Sequence, residues 1–397
     1  MAQAVLRGLR CVRCGERAPL RYDTSGCPAC REQGVPSALL ADYDLSDVDG
    51  SALWDEWARR RPALWSHREL LPVDADKAIS LAEGGTPLVE LPERVTGAAN
   101  RTLVKDERRN PTGSFKDRFY SIAVSWAAAS GASTVAVASS GNAGVSVAAY
   151  AAAAGLDCVV VTTETIERTW RGRIERHGAR PVFARDAADR WRILRERAAE
   201  QDWTVLTNTS ATPVSSLWAG IDGYKTMAYE IVRDLGDVPE VVTVPVSRGD
   251  GLAGMWAGFR ELHELGIVER LPRMVAAERY PSLSRALAAG ADLPPEEEAD
   301  LRSIATSIGD PRATVMSLRV LRESGGAAVP CGDEDLQAAV RRLGSAGVGA
   351  EPSSAAGLVA IDELRRREWL RPDDRVVTLV TSRAANQPST LPDPARH

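Results

Sequence analysis

The chain has 397 residues, 44% hydrophobic and 26% charged, the mix of a soluble globular protein and long enough for two lobes or a lobed core with an appendage. A net charge of −5 gives no reason to expect nucleic acid or an anionic membrane as partner, and no apolar run approaches the roughly eighteen residues of a membrane span. The opening MAQAVLRGLRC is too short and too soon broken by arginine for a secretory signal, so a cytoplasmic protein with reduced thiols is expected.

Cys11-x-x-Cys14 and Cys27-x-x-Cys30 form two knuckles twelve residues apart. Each pair lets two thiolates approach one tetrahedral ion, and the loop is long enough to bring the pairs together. A structural zinc site is expected over residues 1–35, a zinc-ribbon-like clip with disulfides as the alternative. Cys158 and Cys331 are left as buried thiols. An acidic stretch follows, then a segment in which Trp54, Trp57 and Trp65 are spaced for one helical face packed on the main body. Ser80–Leu88 reads as a turn entering a strand.

Asn110–Arg118, NPTGSFKDR, places a lysine in a small-residue turn ahead of a helix predicted over about Phe119–Ser130. Of 49 basic residues only Lys77, Lys105, Lys116 and Lys225 are lysines. Arginine keeps its proton in a protein, whereas a desolvated lysine can lose it and attack a carbonyl. Lysine at 116 therefore reads as chemically needed, against the plainer reading of a solvated residue in a capped turn.

Beyond it, helix and strand alternate. Strands are predicted at Thr134–Ala138, Asp157–Thr162, Pro181–Phe183, Thr204–Leu206, Val241–Val246, Met274–Ala277 and Val376–Thr381. Helices are predicted at Gly144–Ala154, Thr169–His177, Ala187–Glu200 and Leu252–Glu264. This order specifies a parallel α/β sheet covered on both faces. Leu283–Arg302 reads as a surface helical excursion, and about the last ten residues as a disordered tail.

Two turns carry the chemistry of anion binding. Ser139-Ser140-Gly141-Asn142-Ala143-Gly144 lies between a strand and a helix, where backbone N–H groups bind an anion; simple helix capping is the alternative. Gly249-Asp250-Gly251-Leu252-Ala253-Gly254 is a literal GxGxxG after a strand, with Glu278 ending the next one. That is the form of a dinucleotide fingerprint, so an NAD-dependent oxidoreductase is a remote alternative. The same physics serves any phosphate.

The lysine nonapeptide and the turns that follow it resemble the threonine synthase family of fold-type-II pyridoxal-phosphate enzymes, from the cysteine knuckles to Thr381. The resemblance implies an α/β fold of two lobes with mostly parallel sheets flanked by helices. The larger lobe would be residues 36–117 and 213–397, and the smaller 118–212. It implies pyridoxal 5'-phosphate bound at Lys116 and Phe115, with Asn142 at the ring oxygen and Thr381, or Ser382, at the pyridine nitrogen. Ser247, Arg248, Gly249, Asp250 and Gly251 would hold the cofactor's phosphate. Ser139, Ser140, Gly141, Ala143, Lys105 and Arg248 would meet an amino-acid substrate. A homodimer acting on a small molecule is implied, with O-phosphohomoserine and water giving threonine and phosphate. The segments Thr306–Pro311 and Glu351–Ala356 match further landmarks.

Three departures face the substrate. The family's NPYRLEGQKT segment reads SSLWAGIDGYKT here, with Gly220 in place of its arginine. Ala143 replaces a hydroxyl residue, and TSRAANQP replaces a glycine-rich, lysine-bearing loop. Arg248, Arg171, Arg173 or Arg383 are candidates to compensate. The alternatives are β- or γ-replacement or elimination on another activated amino acid such as phosphoserine, or a binding protein built on the same fold.

Overall fold

The structure, a computed structural model, describes residues 4–21, 24–97, 100–210, 212–299 and 303–387. The expected tail and the end of the 283–302 excursion lie outside these. Thirteen strands form three sheets among the described residues. In chain order they are β1 (Val5–Cys11), β2 (Arg17–Ala18), β3 (Leu39–Asp44), β4 (Leu88–Glu90), β5 (Thr102–Asp106), β6 (Thr134–Ala138), β7 (Asp157–Thr163), β8 (Arg180–Ala184), β9 (Thr204–Val205), β10 (Val241–Val246), β11 (Arg273–Glu278), β12 (Ala327–Pro330) and β13 (Val376–Val380). The helices that bear on the site are α1 (Gly50–Arg59), α2 (Lys116–Ala129), α3 (Asn142–Ala154), α4 (Arg168–Arg176), α5 (Ala187–Gln201), α6 (Trp218–Gly223), α7 (Asp250–Glu264), α8 (Val315–Glu323) and α9 (Pro352–Arg366).

The cysteine knuckles border a small antiparallel sheet, β2-β1-β3, whose third strand runs to Asp44 and so extends past the expected limit at residue 35. The largest sheet has the order β12-β11-β10-β13-β5-β4, parallel except for the edge strand β4. β10, VVTVPV, is buried along its whole length, the unbroken apolar run of a strand covered on both faces. The remaining sheet, β8-β7-β6-β9, is wholly parallel and takes its strands from residues 134–205.

These orders decide where a ligand can sit. In the large sheet the chain builds outward from β10 through β11 and β12, and β13 returns on the other side of β10. In the small sheet β6 stands likewise between β7 and β9. Each sheet thus has one place where strand order reverses, and open parallel sheets bind ligands there, beyond the carboxyl ends of the strands. The β10–β13 ladder stops at Thr243 while the β10–β11 ladder continues to Val246, so Pro245, which has no N–H to give, sits where β13 asks for none. The turns at these two points are Ser139–Asn142 and Ser247–Gly251.

Two local expectations change. Trp54 and Trp57 share α1 with ring centroids 6.1 Å apart, but Trp65 lies in a separate 3-10 turn over Leu64–Leu70. Pro62 disfavours helix at the residue before it, so the chain turns after Arg59. The three rings still pack inward: Trp57 lies against His67 and Tyr229, and Trp65 donates to the Ser121 hydroxyl of α2 at 2.9 Å. Among the described residues the 283–302 excursion is helical over Ser282–Ala289, and Gly290 takes the left-handed conformation and ends that helix.

Candidate active site

Lys116 is the first residue of α2, which begins three residues before the predicted start, so the turn ahead of it aims its side chain. The Thr112 amide and hydroxyl donate to Asp117 at 2.7 and 2.6 Å, and Ser146 of α3 donates to the same carboxylate at 2.6 Å. Burial nonetheless pushes Asp117 up to about 6. Gly113 has φ +83°, and a Cβ there would meet the Arg383 side chain at 2.4 Å. The Phe115 amide donates to the Thr381 carbonyl at 2.8 Å, and the Arg383 amide to the Gly113 carbonyl at 3.1 Å. The lysine segment is therefore tied to the loop that leaves β13.

Beneath it lies a buried ionic cluster. Arg118 makes paired bonds to Glu107, both at 2.8 Å, and to Glu230 at 2.8 and 2.7 Å. Lys105, expected to face substrate, belongs to this cluster instead. Its ammonium is fully buried, 2.7 Å from Glu230, and donates to the Thr86 carbonyl at 2.6 Å. Burying two acids with two bases satisfies each charge, and it fixes the floor under Lys116.

The Lys116 amine has no such partner. No carboxylate among the described residues pairs with it, and it sits 4.8 Å from the centroid of the Phe115 ring and 5.8 Å from that of Tyr224. Those rings stack on each other at 5.0 Å. Burial, helped by the nearby Arg248 charge, lowers the amine's pKa against the opposing pull of Asp250 and Glu351. A lysine held this way is desolvated, and desolvation favours its neutral form.

The glycine-rich turn faces it. Gly249 adopts φ +94°, and a Cβ would lie 1.8 Å from the Ser317 hydroxyl; one on Gly251 would meet the Phe115 ring at 2.8 Å. The Arg248 carbonyl accepts from Thr314 and Ser317 at 2.6 and 2.7 Å, and the Ser247 hydroxyl accepts from the Asp310 amide at 3.3 Å. The turn is thereby held open-faced at the start of α7, whose first amides lack intrahelical acceptors. Asp250 turns its carboxylate away, accepting from the Ser216 hydroxyl at 2.7 Å. The dinucleotide reading loses its acid here. Glu278 accepts from the Leu283 and Ser284 amides at 2.8 and 2.9 Å and so caps the next helix.

Opposite stands the turn before α3. The Ser139 hydroxyl accepts from the Gly144 amide at 2.9 Å as a helix cap, and Ser140 contacts Thr162 at 2.9 Å. Gly141 and Ala143 are half-buried beside them. Asn142 is held from three sides. Its amide donates to Glu351 at 3.1 and 3.2 Å and to the Ser382 hydroxyl at 3.2 Å, and its carbonyl accepts from Asn386 at 2.7 Å. Thr381 pairs instead with Ser354 of α9 at 2.7 Å. Arg173 of α4 reaches across to Asn386 at 2.7 Å and to the Thr112 carbonyl at 2.6 Å.

Phe115 thus meets both Thr381 and the glycine-rich turn, and the charges of Arg248, Asp250 and Glu351 reach the Lys116 amine, whereas Lys105 stands apart. Sequence reasoning passed over Tyr224, the hold of Asn386 on Asn142, and Arg190. Burial and stacking distances, which no local pattern encodes, are what single them out. The four knuckle thiols also converge: all their sulfurs lie within 4.8 Å of one another, with Cys11–Cys30 at 3.6 Å and Cys14–Cys27 at 3.7 Å. Tetrahedral Zn–S bonds of about 2.3 Å imply sulfur separations of about 3.8 Å, so the donor set fits that ion.

Residues 79–382 match the family described as pyridoxal-phosphate dependent enzyme. A threonine synthase of Methanosarcina acetivorans is 32% identical, over 97% of this chain and 93% of that protein. One from Methanocaldococcus jannaschii is 29% identical over 96% and 93%. Maize serine racemase shares the fold with a TM-score of 0.66 at 19% identity, covering 77% of this chain and 89% of the other. A family match of this extent, around a buried lysine with no ion-pair partner among the described residues, places the chain among the pyridoxal-phosphate-dependent enzymes.

Proposed function

We propose that the chain is a threonine synthase, converting O-phosphohomoserine and water to threonine and phosphate. The carrying observation is the unpaired, desolvated amine of Lys116 set between the Ser247–Gly251 turn and Asn142, in a chain whose threonine synthase relatives align along nearly its full length. The residues present fit pyridoxal 5'-phosphate. Gly249 and Gly251 leave a cradle that a Cβ would fill, and the buried Ser114 hydroxyl has no hydrogen-bond partner among the described residues.

In this reading Ser247, Gly249 and Gly251 hold the cofactor's phosphate at the N-terminus of α7. Phe115 and Tyr224 wall the ring, Asn142 meets its oxygen and Thr381 its nitrogen. When bound, the cofactor supplies an electron sink for the pair left at Cα. The amine of Lys116, whose pKa burial lowers, takes the Cα proton and carries protons among Cα, Cβ and Cγ as phosphate leaves Cγ and water adds at Cβ. Ser140, Gly141 and Ala143 hold the substrate carboxylate on backbone N–H groups, where the α3 dipole favours it. A structural zinc on Cys11, Cys14, Cys27 and Cys30, a homodimer and a cytoplasmic setting that keeps the thiols reduced complete the proposal.

A second reading rests on Gly220. It is buried in α6, and a Cβ there would lie 2.5 Å from the Phe119 ring, so the arginine that the family uses has no room. That favours a changed substrate, such as an amino acid activated by phosphate at Cβ. One assay separates the two. Offered O-phosphohomoserine, the holoenzyme should release phosphate and threonine in equal amounts, and Lys116→Ala should lose at least about a thousandfold in rate. Turnover of phosphoserine alone would replace the first reading by the second, and full activity of Lys116→Ala would sink both.

A further inference from the structure

Asn386, in the loop that leaves β13, is buried and hydrogen-bonded on both ends of its side chain. Its amide donates to the Asn142 carbonyl at 2.7 Å and to the Gly113 and Thr112 main-chain carbonyls at 3.2 and 3.4 Å. Its own carbonyl accepts from Arg173 of α4 at 2.7 Å and from Nε of Arg383 at 3.1 Å. The loop, TSRAANQP, is one of the three places where the chain departs from the related pattern.

The chemistry of these neighbours leaves one orientation. A guanidinium has N–H donors and no acceptor, and a main-chain carbonyl only accepts. Arg173 and Arg383 therefore require the oxygen of Asn386 on their side, while Thr112 and Gly113 require its nitrogen on the other. That nitrogen also faces Asn142, which must answer with its carbonyl. The Asn142 N–H bonds are thereby turned toward Glu351 and the Ser382 hydroxyl, at 3.1 to 3.2 Å. Direction passes from two arginines through Asn386 to Asn142. Glu351 asks for the same orientation while it is ionised, but a protonated carboxyl could donate instead. The arginines ask for it at every pH, because they keep their protons. Reversing either buried amide would set oxygen against oxygen, and a buried group left unpaired costs its full desolvation.

We propose that Asn386 is a positioning residue for the cofactor: it holds Asn142 with N–H, and not carbonyl, toward the ring oxygen. The inference rests on the reading above that Asn142 meets that oxygen, and it adds what sets the asparagine's direction. Thr112 and Gly113 precede Lys116 in the lysine turn, so the same side chain ties that turn to the start of α3.

The test uses the holoenzyme and the isostere Asn386→Asp, which keeps the shape, accepts from both arginines and has no N–H for Asn142. Affinity for pyridoxal phosphate and the cofactor's absorbance are read beside those of Asn142→Ala, with apoprotein melting temperatures in parallel. Asn386→Asp should melt close to wild type, since the ion pair it gains with Arg173 offsets the lost donor. It should bind pyridoxal phosphate about tenfold more weakly, the range of one hydrogen bond to a charged group. Its absorbance should change as that of Asn142→Ala does. The two substitutions together should cost no more than Asn142→Ala alone, the mark of residues that act as one. Asn386→Ala should give the same losses, which keeps the test open if the aspartate variant does not fold.

Wild-type affinity and absorbance in Asn386→Asp overturn the proposal, as do losses that add in the double variant. A lower melting temperature with cofactor binding unchanged would make Asn386 a tie between segments only, and overturn it too. If Asn142→Ala itself binds and absorbs as wild type does, the reading of Asn142 falls and takes the proposal with it. If the asparagines behave as expected but O-phosphohomoserine yields no threonine, the positioning role stands and the threonine synthase reading falls.

Discussion

Asn142 and Glu351 lie 209 positions apart, yet the asparagine amide donates to both carboxylate oxygens, at 3.2 and 3.1 Å. The contact settles which way the asparagine faces, because its carbonyl is then the atom that accepts from Asn386. Glu351 is fully buried and its pKa is raised by that burial, against the hydrogen bonds it receives from Ser382, Ser307 and Asn142 and the Arg173 charge. It positions Asn142 through the α9 N-terminus.

Glu351→Gln keeps the shape and removes the charge. The Asn142 amide then loses a charge-assisted acceptor, which is worth about 1.5 kcal/mol, and cofactor affinity should fall roughly tenfold. Titrating the apoprotein with pyridoxal phosphate checks this. An unchanged affinity would mean that Asn142 holds its place without Glu351.

Gly220→Arg restores the residue type of the related segment but not its role. Its side chain must start 2.5 Å from the Phe119 ring, within a buried helix. Overpacking of that kind costs about 3 kcal/mol. The variant should melt several degrees lower and release phosphate from O-phosphohomoserine no faster than wild type. A faster, equally stable variant would show that the pocket can open at α6.

Removing the metal tests the knuckles. One zinc per chain is expected by elemental analysis, absent in Cys30→Ser, whose side chain is fully buried among the other thiols. Because the Trp218 indole donates to the Arg21 carbonyl at 3.0 Å, loosening this segment should reach α6 and lower the melting temperature. A metal-free wild type of the same stability would remove zinc from the proposal.

Glu278 gives a pH dependence of known sign. Burial raises its pKa to about 7 from 4.5, with two backbone amides opposing the shift. A carboxyl with a raised folded pKa contributes stability that is fully present below pH 4.5 and is lost as pH rises through 7. The loss is about 3 kcal/mol. Glu278→Gln cannot ionise, so relative to wild type it should gain that amount between pH 4 and 8 in denaturant titrations. Parallel curves for the two proteins would contradict it.

Local sequence determined the parts of this protein whose physics is local. Apolar runs such as VVTVPV read as buried strands because no polar residue interrupts them, and β10 falls where predicted. Lysine in an arginine-rich chain, small-residue turns at strand ends, and paired CxxC knuckles each announce chemistry within a few residues, and the four knuckle sulfurs do converge, whereas Lys105 joins the buried cluster of Arg118, Glu107 and Glu230. Tertiary structure decided what depends on distant partners. Lys105 and Lys116 are both buried lysines in sequence neighbourhoods rich in charge, but only the first meets Glu230 from another helix, and that separates a structural ion pair from a free amine. Arg190 looks like any other arginine on a charged helix. That no carboxylate among the described residues forms an ion pair with it emerges only when α5 packs against the turn at Ser140, because a missing partner is a property of the folded surroundings and leaves no mark on the residues beside it.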